Sequence, residues 1–106
     1  MSTQLKKGVL EMVVLSKVDA KDRYGYDIYQ EISKNMEISE STIYPILRKM
    51  TKDGYCETYL RESSVGPARK YFRLTKKGKM RLSELRQDWS KFQRVVNKMI
   101  RSDRYE

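Results

Sequence analysis

Histidine is absent from the 106 residues, and cysteine occurs once, at Cys56. That removes Ser-His-Asp and Cys-His nucleophiles, imidazole metal sites and any internal disulfide, and a lone cysteine agrees with a reducing compartment. The carboxylates Glu11, Asp27, Glu31 and Glu57 are scattered. Beyond the helical spacing of Asp27 and Glu31, they show no pairing suited to acid-base work. No cofactor, metal or catalytic residue is expected. What remains is a run of hydroxyl, phenol and cationic groups: Ser41, Thr42, Tyr44, Arg48 and Lys49, followed by Arg61, Arg69 and Lys70. Such donors suit phosphate and base edges.

The charge balance points the same way. Lys and Arg number 23 against 14 acids, a net 23 − 14 = +9. Residues 1–38 hold six of each sign; residues 39–81 hold eleven basic against four acidic, net +7; residues 82–106 hold six against four, net +2. A charge serving solubility alone would be spread along the chain. The concentration instead places a polyanion against residues 39–81.

Those side chains need elements to carry them. Leu5, Val9, Leu10, Met12, Val13, Val14, Leu15 and Val18 form an apolar segment read as a buried helix over 4–18, with Gly8 marking a close helix contact. A charged loop over Asp19–Arg23 follows, then a second helix from Tyr24 to about Asn35 with Ile28 and Ile32 on one face. Ser39 is the expected N-cap of a third helix, whose apolar stripe is Ile43, Ile46, Leu47 and Met50 and whose C′ residue is Gly54. Pro45 removes the bond to Ser41 and is expected to loosen the first turn without interrupting the helix. Tyr55–Arg61 and Arg69–Leu74 read as strands around the turn-rich connector Glu62–Ala68. In the second strand Lys70, Phe72 and Leu74 alternate with Arg69, Tyr71 and Arg73, so one face can pack while arginines occupy the other. Thr75 caps a final helix to about Ser102, despite Gly78 in its first turn.

Three helices, a β-hairpin and a fourth helix make a mainly α fold with a small β-hairpin, the winged helix-turn-helix plan. There the third helix enters the major groove and the hairpin touches the flanking backbone. Residues 1–75 would be the DNA-binding domain and 76–106 a C-terminal dimerisation helix. With Ser39 assigned to the cap, Ser41 and Thr42 are placed on DNA; capping alone is their alternative. Tyr44 lies opposite the apolar stripe and would offer its hydroxyl to phosphate, with Arg48 and Lys49 one turn on. The plain alternative for these cations is a solvated face.

Along the last helix Leu82, Leu85, Trp89, Phe92, Val96 and Met99 recur at spacings of 3, 4, 3, 4 and 3. This is a heptad seam, narrower than a stripe packed on one core, and implies a partner helix and a homodimer. Val95 and Ile100 widen it toward the partner's first helix. Trp89 and Phe92 could also stack on a flat effector, although aromatic residues at this spacing serve more often as core. Cys56 reads as a small packed residue, not a redox switch.

A chain of this length with 39% hydrophobic residues is one domain with a real core. Its longest apolar run, Met12–Leu15, is far short of the roughly 20 residues that span a bilayer. No secretory signal is visible at Met1–Lys7, so no membrane association is expected and the cytoplasm is the expected location.

Four local patterns resemble the PadR family of bacterial transcriptional regulators over nearly the whole chain. They are Gly8-Val9-Leu10-Glu11, Tyr24-Gly25-Tyr26-Asp27-Ile28, Thr42-Ile43-Tyr44-Pro45-Ile46-Leu47-Arg48-Lys49-Met50 and Gly66-Pro67-Ala68-Arg69-Lys70-Tyr71-Phe72-Arg73-Leu74-Thr75. The Tyr-Pro within a helix and the Gly-Pro-x-Arg-Lys hairpin are the specific ones. Departures are mild: Ile43 and Ile46 stand where leucines are expected, and Cys56 where the family is usually aliphatic. The resemblance implies a homodimeric repressor on an inverted-repeat operator in double-stranded DNA. A single C-terminal helix is similar to the short PadR subfamily, some members of which answer hydrophobic compounds at the dimer interface. The competing class, a winged-helix adaptor that binds protein, would not require the +7 segment.

Overall fold

The computed structural model describes the backbone of residues 3–105 and the side chains of residues 8–101. Its elements are α1 (Thr3–Ala20), β1 (Arg23–Tyr24), α2 (Gly25–Ser33), α3 (Glu40–Lys52), β2 (Cys56–Arg61), β3 (Arg69–Leu74) and α4 (Lys76–Tyr105). The apolar periodicities become one core: Leu10, Val14, Leu15 and Val18 of α1 meet Ile28 and Ile32 of α2, Ile43, Leu47 and Met50 of α3, and Phe72 and Leu74 of β3. Burying each such side chain contributes roughly 1.5–3 kcal/mol. Leu5 lies outside the described side chains.

Chain reversals follow their local chemistry. α3 ends where Gly54 takes φ +81°, a left-handed value that a side chain disfavours. Its amide donates to Thr51 O at 3.1 Å and the Tyr55 amide to Met50 O at 2.9 Å. This is the paired-bond Schellman ending. α3 runs unbroken through Pro45. Its first turn opens with bonds from Thr42 N and Ile43 N to the same Ser39 carbonyl, at 3.1 and 3.3 Å. Ser39 holds the N-cap position but makes no side-chain cap bond. Its hydroxyl is shared instead with Ser41 Oγ at 2.8 Å and Thr42 Oγ1 at 3.2 Å.

The hairpin is one part of a three-stranded antiparallel sheet in the order β1-β3-β2. β1 occupies a stretch expected to be loop and helix start. Two residues carry no periodicity of their own; pairing Arg23 with Phe72 and Tyr24 with Tyr71 extends them. In β3 the expected alternation holds for Phe72 and Leu74, which are buried, and for Arg69 and Arg73, which are exposed, but Lys70, expected on the packed face, is exposed and Tyr71 is half-buried. α2 stops at Ser33, short of the expected Asn35.

α4 is locked to the end of α3. The Gly78 amide donates to Thr75 Oγ1 at 3.0 Å, the expected cap. The same hydroxyl reaches the carbonyls of Gly54 at 2.6 Å and Tyr55 at 3.1 Å, and Lys77 Nζ donates to Asp53 O at 2.8 Å. A Cβ at Gly78 would run into the Tyr55 carbonyl oxygen and lie 2.6 Å from Leu74 Cδ1. Only glycine lets the helix start here.

Two expectations are corrected. Gly8 marks no close helix contact within the chain, since among the described residues nothing lies within 4 Å of where its Cβ would stand. Leu82 is not left for a partner: it is 2% exposed, inside the chain's own core. Leu85 packs against that core too. Beyond them α4 runs on and stretches the molecule to 63 × 28 × 20 Å. No helix among the described residues is long and apolar enough to cross a membrane.

Candidate nucleic-acid interface

The eight candidate DNA-contacting residues fall in three places. The first is a notch of about 300 Å³ between α3 and the sheet, where Tyr44 and Arg48 meet Lys70. Tyr24, Gly25 and Tyr26 complete its wall. The Tyr44 ring comes within 3.5 Å of where a Gly25 Cβ would stand, so the Tyr-Gly-Tyr run opening α2 makes room for it. Tyr44 is thus half-buried beside the core and not on a fully solvated face. Burial first, then the Glu40 carboxylate, hold its phenol above the ordinary value, so the hydroxyl stays a neutral donor and acceptor at physiological pH.

The second place is the N-terminal end of α3, where Ser41 and Thr42 line a separate cavity of about 540 Å³ with Ile38, Pro45 and Lys49. Lys49 faces α1, with Nζ 2.8 Å from Glu11 Oε1. That hydrogen bond, with the charge of the same carboxylate, raises the Lys49 pKa. The structure therefore separates Lys49 from Arg48 and gives it a partner within the chain.

The third place is the outer face of the sheet. Tyr24, Tyr71 and Tyr59 form a row across the three strands, with ring centroids 6.3 and 5.7 Å apart. An arginine lies over each ring: Arg69 over Tyr24 at 4.9 Å, Arg61 over Tyr71 at 5.2 Å and Arg73 over Tyr59 at 4.7 Å. Asp22 fixes one end of the row, accepting from Tyr59 Oη at 2.7 Å and Arg73 Nε at 3.4 Å. Arg73 also donates to Glu57 at 3.3 Å, so its charge is balanced locally. Among the described residues no carboxylate pairs with Arg48, Arg61, Arg69 or Lys70.

Sequence reasoning named the cations but not Tyr24, Tyr26, Tyr59 and Tyr71. A signal for two of them was present in the alternation Tyr59-x-Arg61 and Arg69-x-Tyr71-x-Arg73, which puts rings and guanidiniums on one face of a strand pair. Cys56 is buried, and desolvation pushes its thiol up to about 11. The neutral thiol is a poor nucleophile, as its reading as a packed residue required.

A helix-turn-helix followed by a hairpin, with uncompensated cations lining the cleft between them, defines a winged-helix regulator. The transcriptional regulator PadR-like family matches residues 14–84, and the chain belongs to that family. Its fold is similar to that of a PadR-like transcriptional regulator of Bacillus cereus, at TM-score 0.85 and 36% identity, covering 94% of this chain and 99% of that one. A Streptococcus transcriptional regulator is similar at TM-score 0.83 and 39% identity, covering 92% and 98%. An uncharacterised protein of Lysinibacillus sphaericus is 37% identical over 95 residues, 86% of this chain and 87% of that protein.

Proposed function

We propose that the protein is a cytoplasmic, homodimeric repressor that binds an inverted-repeat operator and is released by a small hydrophobic or aromatic effector. Residues 1–75 read the DNA and residues 76–106 join the two chains. The observation that carries this reading is the notch between α3 and the sheet, where Arg48 and Lys70 converge beside Tyr44 with no carboxylate pairing either cation among the described residues. Ser41 and Thr42 at the start of α3 and Arg61 and Arg69 on the sheet extend the contact; Lys49 belongs to it only by exchanging Glu11 for phosphate. Arg48→Ala and Lys70→Ala should each weaken binding to the chain's own promoter fragment by roughly tenfold, read by fluorescence anisotropy. Unchanged affinity in the double variant would return the notch to an ordinary solvated surface.

Dimerisation is supported by what α4 leaves uncovered. Phe92 is 55% and Met99 68% exposed, with Val95 and Ile100 also exposed and Trp89 and Val96 half-buried. With Leu82 and Leu85 assigned to the chain's own core, the seam narrows to Trp89, Phe92, Val96 and Met99. Trp89 and Phe92, with ring centroids 6.5 Å apart, line an apolar groove of about 390 Å³ with Gly8, Val9 and Met12 of α1. The missing Gly8 side chain thus opens a space suited to a flat ligand. Truncation at Arg81 would remove Leu82 from the core, so a point substitution is the cleaner probe. Phe92→Glu should sediment as a monomer at micromolar concentration. Hydrophobic cations or phenolic acids should quench Trp89 emission in the wild type, and the same variant should lose that quenching. A folded Phe92→Glu dimer would exclude the seam, and an unquenched wild type would leave Trp89 as packing alone.

A further inference from the structure

The row of tyrosines across the sheet does more than cover its outer face. Arg61 and Arg69 stand directly opposite each other at the last pair before the connector. In an antiparallel ladder that register brings two Cα atoms to roughly 5 Å, and like charges there repel. The neighbouring arginine, Arg73, is neutralised by Asp22 and Glu57. Neither Arg61 nor Arg69 has a carboxylate partner among the described residues; each lies over a tyrosine ring instead. A guanidinium over a ring spends no N–H on that contact, so its planar fork stays free for a bidentate anion, and its long side chain is already ordered. Two such forks with no counter-ion describe a place for a phosphodiester.

We propose that Tyr24 and Tyr71 are positioning residues that hold Arg69 and Arg61 as a preset clamp for the DNA backbone beside the hairpin. Tyr59 and Asp22 anchor the far end of the row, because the phenol is fixed by its 2.7 Å bond to the carboxylate. The inference rests on the DNA-binding reading above. It differs in assigning part of the affinity to rings that never touch the phosphate.

A double-mutant cycle on the full-length chain tests it. Tyr24→Leu should weaken binding of the promoter fragment about tenfold in the dimer, which carries the pair twice, while Tyr24→Phe keeps wild-type affinity because the ring face suffices. In an Arg69→Ala background Tyr24→Leu should cost nothing further. An equal loss in both backgrounds would show that the ring serves the fold, and no loss in either would remove the role. Because Tyr24 also precedes α2, Arg69→Lys provides a readout that leaves the core intact. It keeps the charge but not the planar fork, and should lose about tenfold; wild-type affinity in Arg69→Lys overturns the clamp. A wild-type chain that does not bind DNA overturns this inference together with the proposed function, whereas binding that is indifferent to Tyr24→Leu and Arg69→Lys overturns this inference alone.

Discussion

Raising the salt from about 50 to about 200 mM should weaken operator binding on the order of 10⁴-fold. Contacts to phosphate release condensed counterions, and log K then falls with log salt at about −0.9 per phosphate contacted. The excess charge lies in residues 39–81 at 11 − 4 = +7 per chain. Among the eleven cations there, Arg73 is balanced by Asp22 and Glu57, Lys49 by Glu11 and Arg81 by Glu84; of the remainder, Arg48, Arg61, Arg69 and Lys70 are the four at the notch and the sheet face. Four per chain would neutralise on the order of 8 phosphates in a dimer, for a slope near −7. Anisotropy titrations across that range give the slope directly. Arg73→Ala should leave it nearly unchanged, whereas Arg69→Ala should lower its magnitude by about 2 in a dimer. A slope near zero for the wild type would sink the assignment of these cations to DNA.

The second large effect is on stability. In an exposed helix, replacing glycine by alanine gains up to about 1 kcal/mol. At Gly78 the sign should reverse, because the added methyl meets the Tyr55 backbone carbonyl and Leu74 Cδ1, not the free end of a flexible side chain. That carbonyl cannot retreat easily, since it accepts from the Thr75 amide at 3.1 Å. Overpacking against backbone costs about 3 kcal/mol, which corresponds to a fall in Tm of roughly 15 °C for a domain of this size. Calorimetry of Gly78→Ala beside Lys79→Ala, an exposed position on the same turn, isolates the clash. Equal melting temperatures would mean that α4 does not start against Tyr55.

What the sequence carries on its own is the local chemistry. The stripe from Ile43 to Met50, the left-handed Gly54, the alternation of Phe72 and Leu74 and the Thr75 cap each depend on residues within a few positions of one another. What could not be read were relations across the chain. β1 exists because β3 pairs with it. Lys49 meets a carboxylate 38 positions away. A heptad spacing reports that a helix is covered along one side, but not whether the cover is its own chain, as for Leu82, or another. Tyr44 falls off the stripe of Ile43, Ile46, Leu47 and Met50 by its spacing, yet it packs half-buried against the core in the cleft beside Gly25, which only the packing of α2 on α3 creates.

The joint between α3 and α4 also sets a mechanical relation. α4 has 30 residues; Leu82 and Leu85 hold its first turns in the core, and at about 1.5 Å per residue the part beyond them is a lever roughly 30 Å long. Thr75 and Lys77 hold the carbonyls of Asp53, Gly54 and Tyr55, just past the end of α3, so a tilt of the lever should be passed to the helix proposed to face DNA. A displacement of about 4 Å at the far end amounts to only about 8° where the helix leaves the core. Gearing in that direction would convert a coarse rearrangement at the tip of α4 into a fine adjustment of angle at its base, and substitutions near Met99 and Ile100 should act as graded trims, not as on-off changes.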